Sequence, residues 1–144
     1  MRALRKNKDN YIFFKSYETR WRDNDVYGHM NNIVFYEFAD TVVNHWLNIS
    51  NALKVPNDDV IGLVVHTQCN YFSQLGYPNM VTCGLKVENI GKTSVTYDIG
   101  LFDENQFQCA AQILFVHAYV GFQDRKPTLI PDSLLTALGS ISNT

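Results

Sequence analysis

The sequence of 144 residues lacks the features that mark several common classes of protein. It has 3 cysteines, Cys69, Cys83 and Cys109, and none belongs to a CxxC pair, which disfavours a zinc site or a disulfide scaffold. Its 4 histidines show no HExxH or similar spacing, so we expect no metal site. An odd number of cysteines, each inside an apolar or strand-like run, indicates free thiols in a reducing compartment. We therefore expect a cytoplasmic protein.

An excess of charge of one sign is also missing. Lys and Arg total 12 against 14 Asp and Glu, a formal net charge of −2, which gives no general attraction to nucleic acid or anionic membrane. The basic cluster of Arg2, Arg5, Lys6 and Lys8 runs into Asp9 instead of an apolar stretch, which is unlike a signal peptide. No apolar run is long enough to span a bilayer. We expect no nucleic-acid or membrane partner, and one domain over residues 1–144.

Hydrophobic spacing predicts one helix and several strands. From Asn32 to Ile49 the apolar side chains form a broad stripe at helical spacing, so this helix should be largely enclosed. Alternating or continuous apolar runs predict the strands Tyr11–Trp21, Val60–Phe72, Val81–Ile90, Thr93–Phe102 and Phe107–Phe122. The last run is apolar on both faces and is expected to be central. The pattern predicts an α+β layout in which a twisted antiparallel sheet curls around one helix.

A shorter helix is predicted at the C-terminal end. Pro131 is expected at its first helical position, where proline's missing N–H costs nothing, and the helix should end at Leu138.

A polar stretch joins the first predicted strand to the helix, and its residues 20–36 read RWRDNDVYGHMNNIVFY. This segment closely resembles the motif of first strand, loop and helix start in the 4-hydroxybenzoyl-CoA thioesterase superfamily. The shared pattern is an Asp three residues before a Gly, then a polar turn into a helix with aromatic residues. Similar features recur downstream, at Val64–Tyr71, Tyr77-Pro78, Gly91–Ser94 and Ile130-Pro131. The resemblance spans roughly Tyr11 to Leu138.

The resemblance implies a hotdog fold, an antiparallel β-sheet wrapped around one long central α-helix, with an acyl thioester site at a dimer interface. It further implies that Asp25 is catalytic and that the backbone N–H at the helix start, near Asn32, polarises the thioester carbonyl. The spacing of Asp25 and His29 also resembles plant acyl-ACP thioesterases, in which a His at that place is implicated. Those enzymes carry Asn where this chain has Tyr27.

Elementary chemistry agrees with these implied roles. An aspartate side chain is ordinarily ionised at neutral pH, so Asp25 can attack a thioester carbonyl directly or deprotonate a water. A helix N-terminus offers unpaired N–H groups and a positive dipole end to the developing oxyanion. Gly28 permits a tight turn beside the reacting carbon. Because a thiolate is a good leaving group, no metal or organic cofactor is required.

The loop residues also have ordinary structural interpretations. An Asp before a helix, such as Asp25, is commonly a turn or capping carboxylate. Asp23 is expected to be a turn residue or an ion-pair partner of Arg20 or Arg22. His29 either orients water or substrate, or braces the loop.

Further candidates for substrate binding are spread along the chain: Tyr27, Gly28, Asn31, His66, Lys92 and Ser94. Asn31 and Asn32 cap the helix in the ordinary interpretation, while His66 and Ser94 are otherwise plain strand residues. Basic residues in turns, Lys92, Arg125 and Lys126, are candidates for contact with CoA phosphates, or are simply solvated. Glu37 lies on the polar face of the helix; another hotdog branch uses a helix carboxylate, but its sequence context is missing here.

Three functions are compatible with the resemblance. The leading one is hydrolysis of an acyl-CoA, with acyl-ACP as a close variant. A non-catalytic acyl-CoA-binding module is the second, although the intact Asp25 argues against it. A hotdog dehydratase or hydratase is the third, and its motif is not found.

Two further expectations concern assembly and substrate. The edge strand of a curled sheet must be paired, so we expect a homodimer or homotetramer. Rings near the predicted pocket favour an apolar acyl or aroyl group: Phe13, Tyr27, Phe35, Tyr36, Tyr71 and Phe72.

Overall fold

The computed structural model describes residues 4–142, so Arg2 of the basic cluster lies outside the described part. Its strands are β1 (Phe13–Tyr17), β2 (Val60–Tyr71), β3 (Val81–Ile90), β4 (Ser94–Asp103) and β5 (Ala111–Gly121). Its α-helices are α1 (Asn32–Ile49) and α2 (Asp132–Gly139). Two single-turn 3₁₀ helices cover Lys8–Asn10 and Trp21–Asp23.

The five strands form one antiparallel sheet in the order β1-β3-β4-β5-β2. β1 and β2 are therefore its edges and β4 is its centre. β5 is an interior strand, paired along both edges, and its side chains are buried on the inner face and half-buried or buried on the outer face. β5 was predicted to be the central strand, but it is the neighbour of the central strand β4.

The inner face of the sheet packs on α1. Val95, Tyr97, Ile99 and Leu101 alternate along β4 and have no exposed surface, and Ala39, Val42 and Val43 of α1 are equally buried. Full burial of an aliphatic side chain contributes roughly 1.5–3 kcal/mol, so this interface dominates the stability of the fold. An antiparallel sheet that wraps one helix is the hotdog arrangement, and this prediction is confirmed.

The outer face of the sheet carries a buried ion pair. Asp98 of β4 is fully buried, pairs with Lys6 and accepts a hydrogen bond of 2.9 Å from the Tyr11 hydroxyl. Burial and the neighbouring carboxylate raise the pKa of Tyr11 well above its ordinary value. These contacts fix the N-terminal arm across the sheet, because a buried carboxylate requires partners.

Several predicted boundaries were wrong, including the start of the first strand, which lies at Phe13 and not at Tyr11. The first strand ends at Tyr17 instead of Trp21, since Asp23 draws the chain into a 3₁₀ turn. The last strand begins at Ala111 instead of Phe107. Pro131 is the N-cap of α2, with an extended ψ of 150°, and is not its first helical residue.

Among residues 4–142, no helix is both long and apolar enough to cross a membrane. Cys83 and Cys109 are buried free thiols, and Cys69 is half-buried and free.

Candidate functional site

The loop before α1 is anchored by Asp23. Its carboxylate is 1% exposed and accepts hydrogen bonds from the Arg20 backbone N–H (2.8 Å) and from Nη2 of the Arg20 guanidinium (2.8 Å). The Asp23 carbonyl accepts the N–H of Asn31 at 2.9 Å. Asp23 is therefore the ion-pair partner of Arg20, and it joins the two ends of the loop.

Asp25 begins a tight turn that ends at His29. The Asp25 N–H donates to the His29 carbonyl (2.8 Å), the Gly28 N–H donates to the Asp25 carbonyl (3.1 Å), and Asp25 Oδ1 accepts the Tyr27 N–H (2.8 Å). Gly28 has φ +80°, a conformation that glycine adopts without steric penalty. The carboxylate is half-buried, and Oδ2 accepts no hydrogen bond within the described chain. One oxygen of Asp25 thus holds the turn, and the other is available.

The start of α1 leaves one backbone donor free. The Asn31 side chain caps the helix by accepting the Ile33 N–H at 2.9 Å, and the Asn31 carbonyl accepts the Val34 N–H at 2.9 Å. The N–H of Asn32, the first helical residue, donates to no other atom of residues 4–142. Unpaired N–H groups at a helix N-terminus, together with the helix dipole, favour a developing negative charge.

Unusually many large apolar side chains around this loop face solvent. Their exposed fractions are 79% for Trp21, 93% for Val26, 80% for Tyr27 and 64% for Ile33. His29 is also exposed and its imidazole has no partner within the described chain. Several large apolar side chains exposed on one loop and helix start indicate a candidate interaction surface.

Aromatic rings at the start of α1 pack against rings of β2 and β5. Phe35 meets Tyr71 edge-on with ring centroids 5.0 Å apart, and Tyr36 stacks on Phe115 at 6.0 Å. Cys69 lies on the same inner face of β2, because its cross-strand partner is the inward-facing Ile113.

Lys92 and Ser94 lie at the other end of the sheet. The loop of Asp25 docks beside the end of β2, where the Met30 N–H donates to the Leu75 carbonyl at 2.9 Å. Lys92 and Ser94 lie at the opposite end of β4, which at 3.4 Å per residue is about 30 Å long. One chain therefore does not bring the two predicted groups of site residues together.

The remaining candidates are also distant from Asp25 or directed elsewhere. His66 is exposed on the outer face of the sheet, because its partner Val116 alternates with the inward-facing Phe115 and His117. Arg125 stacks on Phe122 at 5.1 Å, near the Lys92 end.

Glu37 is exposed and forms a surface ion pair with Arg20 at 3.5 Å. Within residues 4–142, no group of three His, Cys, Asp or Glu side chains is placed to hold a metal ion.

The core contains a polar cluster around His117 that none of the sequence patterns predicted. His117 is 2% exposed, and neither ring nitrogen has a hydrogen-bond partner within the described chain. Burial lowers the pKa of His117 to about 4. The hydroxyls of its neighbours Tyr97 and Tyr119 are 2.7 Å apart. In the sequence, a single His within an apolar strand gave no signal of this cluster.

A family model described as the thioesterase-like superfamily matches residues 19–138. The chain belongs to this family. The matched region includes the loop of Asp25, α1 and all strands except β1.

Solved structures show the same fold over nearly the whole length. The PA5185 protein of Pseudomonas aeruginosa is 38% identical, with a TM-score of 0.94 over 98% of this chain and 99% of that chain. Slr0204 of Synechocystis, a 1,4-dihydroxy-2-naphthoyl-CoA thioesterase, is 18% identical, with a TM-score of 0.80 over 88% of this chain and 95% of that one. SAV2348 of Staphylococcus aureus, solved in complex with CoA, is 16% identical, with a TM-score of 0.80 over 99% of this chain and 89% of that one.

The uncharacterized protein YsmA of Bacillus subtilis is 24% identical over 90 residues. That match spans 62% of this chain and 60% of the length of YsmA.

Proposed function

We propose that the protein is an acyl-CoA thioesterase that hydrolyses a thioester to a free acid and CoA. The observation that carries the proposal is the pairing of a carboxylate with a free oxygen, on Asp25, and a free backbone donor, on Asn32, at the two ends of one short loop. Membership of the thioesterase-like superfamily supports the same reaction.

In the proposed reaction the Asn32 N–H donates to the thioester carbonyl oxygen and stabilises the oxyanion as it forms. Asp25 either attacks the carbonyl carbon, giving an acyl anhydride and CoA thiolate, or removes a proton from a water that attacks instead. In the first case, water cleaves the anhydride and restores the carboxylate. His29, whose carbonyl closes the same turn, is the residue proposed to orient that water.

The proposed site needs two copies of the chain. Within the described chain the outer edge of β2 pairs with no other strand, and several of its apolar side chains are exposed. The exposed fractions are 40% for Leu63, 46% for Val64 and 62% for Val65. Antiparallel pairing of two β2 edges about a two-fold axis places the Lys92 end of one sheet beside the Asp25 end of the other. A homodimer, or a tetramer built from it, thereby assembles the two groups of residues that one chain keeps apart.

CoA is the carrier we favour. SAV2348 was solved with CoA and Slr0204 acts on a CoA thioester, which supports a CoA carrier in this fold. Lys92, Arg125 and Lys126 of the second copy are the proposed contacts of the phosphates, and free thiols favour a cytoplasmic setting. Acyl-ACP is the alternative carrier.

The rings beside the start of α1 favour an apolar acyl or aroyl group over a charged one. The test is release of free thiol from a panel of acyl-CoAs, read with a thiol-reactive dye. Medium-chain and aromatic acyl-CoAs should be hydrolysed faster than succinyl- or malonyl-CoA. Faster turnover of the dicarboxylic substrates contradicts the proposed substrate class.

A non-catalytic acyl-CoA-binding module is the second candidate, and one contact favours it. Asp25 Oδ1 accepts the Tyr27 N–H, a structural role that requires no chemistry. Saturable binding of acyl-CoAs without thiol release from any of them supports this alternative and contradicts the enzyme.

A further inference from the structure

A narrow cleft lies beside the C-terminal half of α1, at the end of the helix opposite to Asp25. It has a volume of about 100 Å³, room for roughly three methylene groups, each close in size to a water molecule. Apolar side chains form most of its lining: Leu47, Leu53, Val55, Pro56, Val60 and Ile61. Sites for whole ligands are roughly 300–1,000 Å³, so this cleft fits only the end of a larger molecule.

The walls of the cleft are held by hydrogen bonds within the chain. In the loop after α1, the Leu53 N–H donates to the Leu47 carbonyl (3.3 Å). Two residues further on, the Val55 N–H donates to Asn48 Oδ1 (3.0 Å). The loop is therefore fixed against the helix before any ligand binds, and filling the cleft does not require the loop to be ordered first.

The polar side chains of the lining, Asp58 and Asn44, already have partners. Asp58 accepts the Lys54 N–H (3.0 Å) with one carboxylate oxygen and the Val60 N–H (3.3 Å) with the other. Asn44 Nδ2 donates to the Asp40 carbonyl (2.9 Å) and to Asp40 Oδ1 (3.2 Å). Asp58 is the only ionisable residue of the lining, so a ligand carboxylate would lose its hydration and meet a like charge. The cleft therefore favours an uncharged hydrocarbon end.

An open trough joins this cleft to the proposed site at Asp25. Its floor is the part of the inner face of β2 that α1 leaves uncovered, and the side chains of this floor are exposed: Val64, Thr67 and Tyr71. At one end Tyr71 meets Phe35, which lies one turn from Asn32, with ring centroids 5.0 Å apart. At the other end the trough reaches Gly62, which lines the cleft. Its open side faces the edge of β2 at which the second copy is proposed to pair.

The length of the trough determines which acyl chain reaches the cleft. Asn32 carries the proposed donor to the thioester carbonyl, and Asn44 lines the cleft. At 1.5 Å per residue, the stretch of α1 between them is about 18 Å long. An extended chain advances roughly 1.2 Å per bond, so an acyl group of about 14–16 carbons covers this distance.

We propose that the cleft receives the methyl end of a long straight-chain acyl group, whose carbons lie along the trough from Asn32. This inference rests on the proposed thioesterase function and names its substrate class, long-chain acyl-CoAs. Val60 and Asn44 are the residues that determine chain length, because they line the cleft from the strand and from the helix.

The experiment measures kcat/KM by thiol release for straight-chain acyl-CoAs from butyryl- to stearoyl-CoA, each below its micelle-forming concentration. From lauroyl- to palmitoyl-CoA, kcat/KM should rise about fourfold per added methylene group, the effect of burying one such group. It should rise no further with stearoyl-CoA, because the cleft is then full. Hexadecanedioyl-CoA, which ends in a carboxylate, should lose the gain that palmitoyl-CoA shows.

Val60→Phe tests the cleft directly. The ring occupies the space proposed for the methyl end, so the gain from lauroyl- to palmitoyl-CoA should disappear. Octanoyl-CoA is too short to reach the cleft and should keep its wild-type kcat/KM to within about twofold. Asn44→Phe fills the cleft from the helix and should have the same effect. Val116→Phe is the matched control, because Val116 is a half-buried residue on the outer face of β5, and it should keep the wild-type dependence on chain length.

The outcomes separate this inference from the function on which it rests. Thiol release that does not increase toward palmitoyl-CoA overturns the inference and leaves the thioesterase standing. An increase that survives both Val60→Phe and Asn44→Phe, or an equal loss at every chain length in these variants, also overturns it. Absence of thiol release from every wild-type reaction overturns the proposed function and this inference with it. Thermal unfolding curves identify a variant that fails to fold, and the other variant then decides.

Discussion

At the scale of single residues, Asp23 and Asp25 have opposite roles although they are two positions apart. Asp23 is buried and paired, whereas Asp25 keeps one free oxygen. Asp25→Asn should lower kcat by a factor on the order of 10²–10⁴, the usual contribution of a positioned acid–base group. KM should change far less, because the binding contacts remain. Steady-state kinetics on the best acyl-CoA measures both.

Asp23→Asn is the contrasting variant. It removes the charge that pairs with Arg20 in a buried position, so it should cost about 1–3 kcal/mol of stability in urea unfolding. Asp25→Asn should unfold like the wild type. Full activity in Asp25→Asn would remove the carboxylate from the mechanism, and equal losses of activity and stability at both positions would indicate only a loop whose geometry matters.

His117 predicts a pH dependence of stability. Its pKa is lowered from 6.5 to about 4 by burial, so the unfolded chain binds the extra proton between these values and the folded chain does not. The free energy of unfolding should therefore fall as pH is lowered from 6.5 to 4, by up to roughly 3 kcal/mol from this residue. Denaturant unfolding at several pH values should show this loss in the wild type and much less of it in His117→Phe. Substitution of the exposed His66 by Phe should leave the wild-type profile; a profile unchanged in His117→Phe assigns the acid sensitivity to other groups.

At the scale of elements, the cap of α1 links stability to the proposed chemistry. Asn31→Ala removes the acceptor for the Ile33 N–H and should cost about 1 kcal/mol of stability. Because the same helix start carries the proposed oxyanion donor, kcat should fall as well. Asn31→Ser keeps a capping oxygen and should restore most of both quantities. A stability loss without any change in kcat would show that the helix start takes no part in catalysis.

The elements also show where sequence patterns were sufficient. The bounds of α1 and β3 follow the prediction because a continuous apolar stripe and a clean alternation define both ends. β1 is shorter than predicted because Asp23, a residue whose burial is set by tertiary contacts, turns the chain early. Pro131 was placed one position too far into its helix, since its fixed φ suits the N-cap and the first turn equally.

At the scale of the molecule, the site divides into a predictable part and an unpredictable part. Asp25, His29 and Asn32 are contiguous in sequence, so a local motif is enough to group them. Lys92 was predicted to join them as a contact of CoA phosphates and Ser94 as a pocket residue, but the sheet separates the two sets by the length of β4. The His117 cluster depends on cross-strand neighbours of Gly62, which only the register of β2 and β5 defines.

The proposed dimer makes the last prediction, and Val65 is the position that tests it. Val65 is 62% exposed and lies near the middle of β2, so a two-fold pairing of β2 edges brings it close to its own copy. In Val65→Glu the two added carboxylates lie near each other across the two-fold axis, and like charges close together across a strand pair destabilise it. Light scattering should show a dimer or larger assembly for the wild type and a shift toward monomer for Val65→Glu. Thiol release should fall in parallel, because a lone chain lacks the Lys92 end of its partner.

Ser16→Glu adds the same charge to the opposite edge strand, β1, and should leave both assembly and activity unchanged. A fully active monomer, or dissociation by Ser16→Glu alone, would show that β2 is not the edge that completes the site.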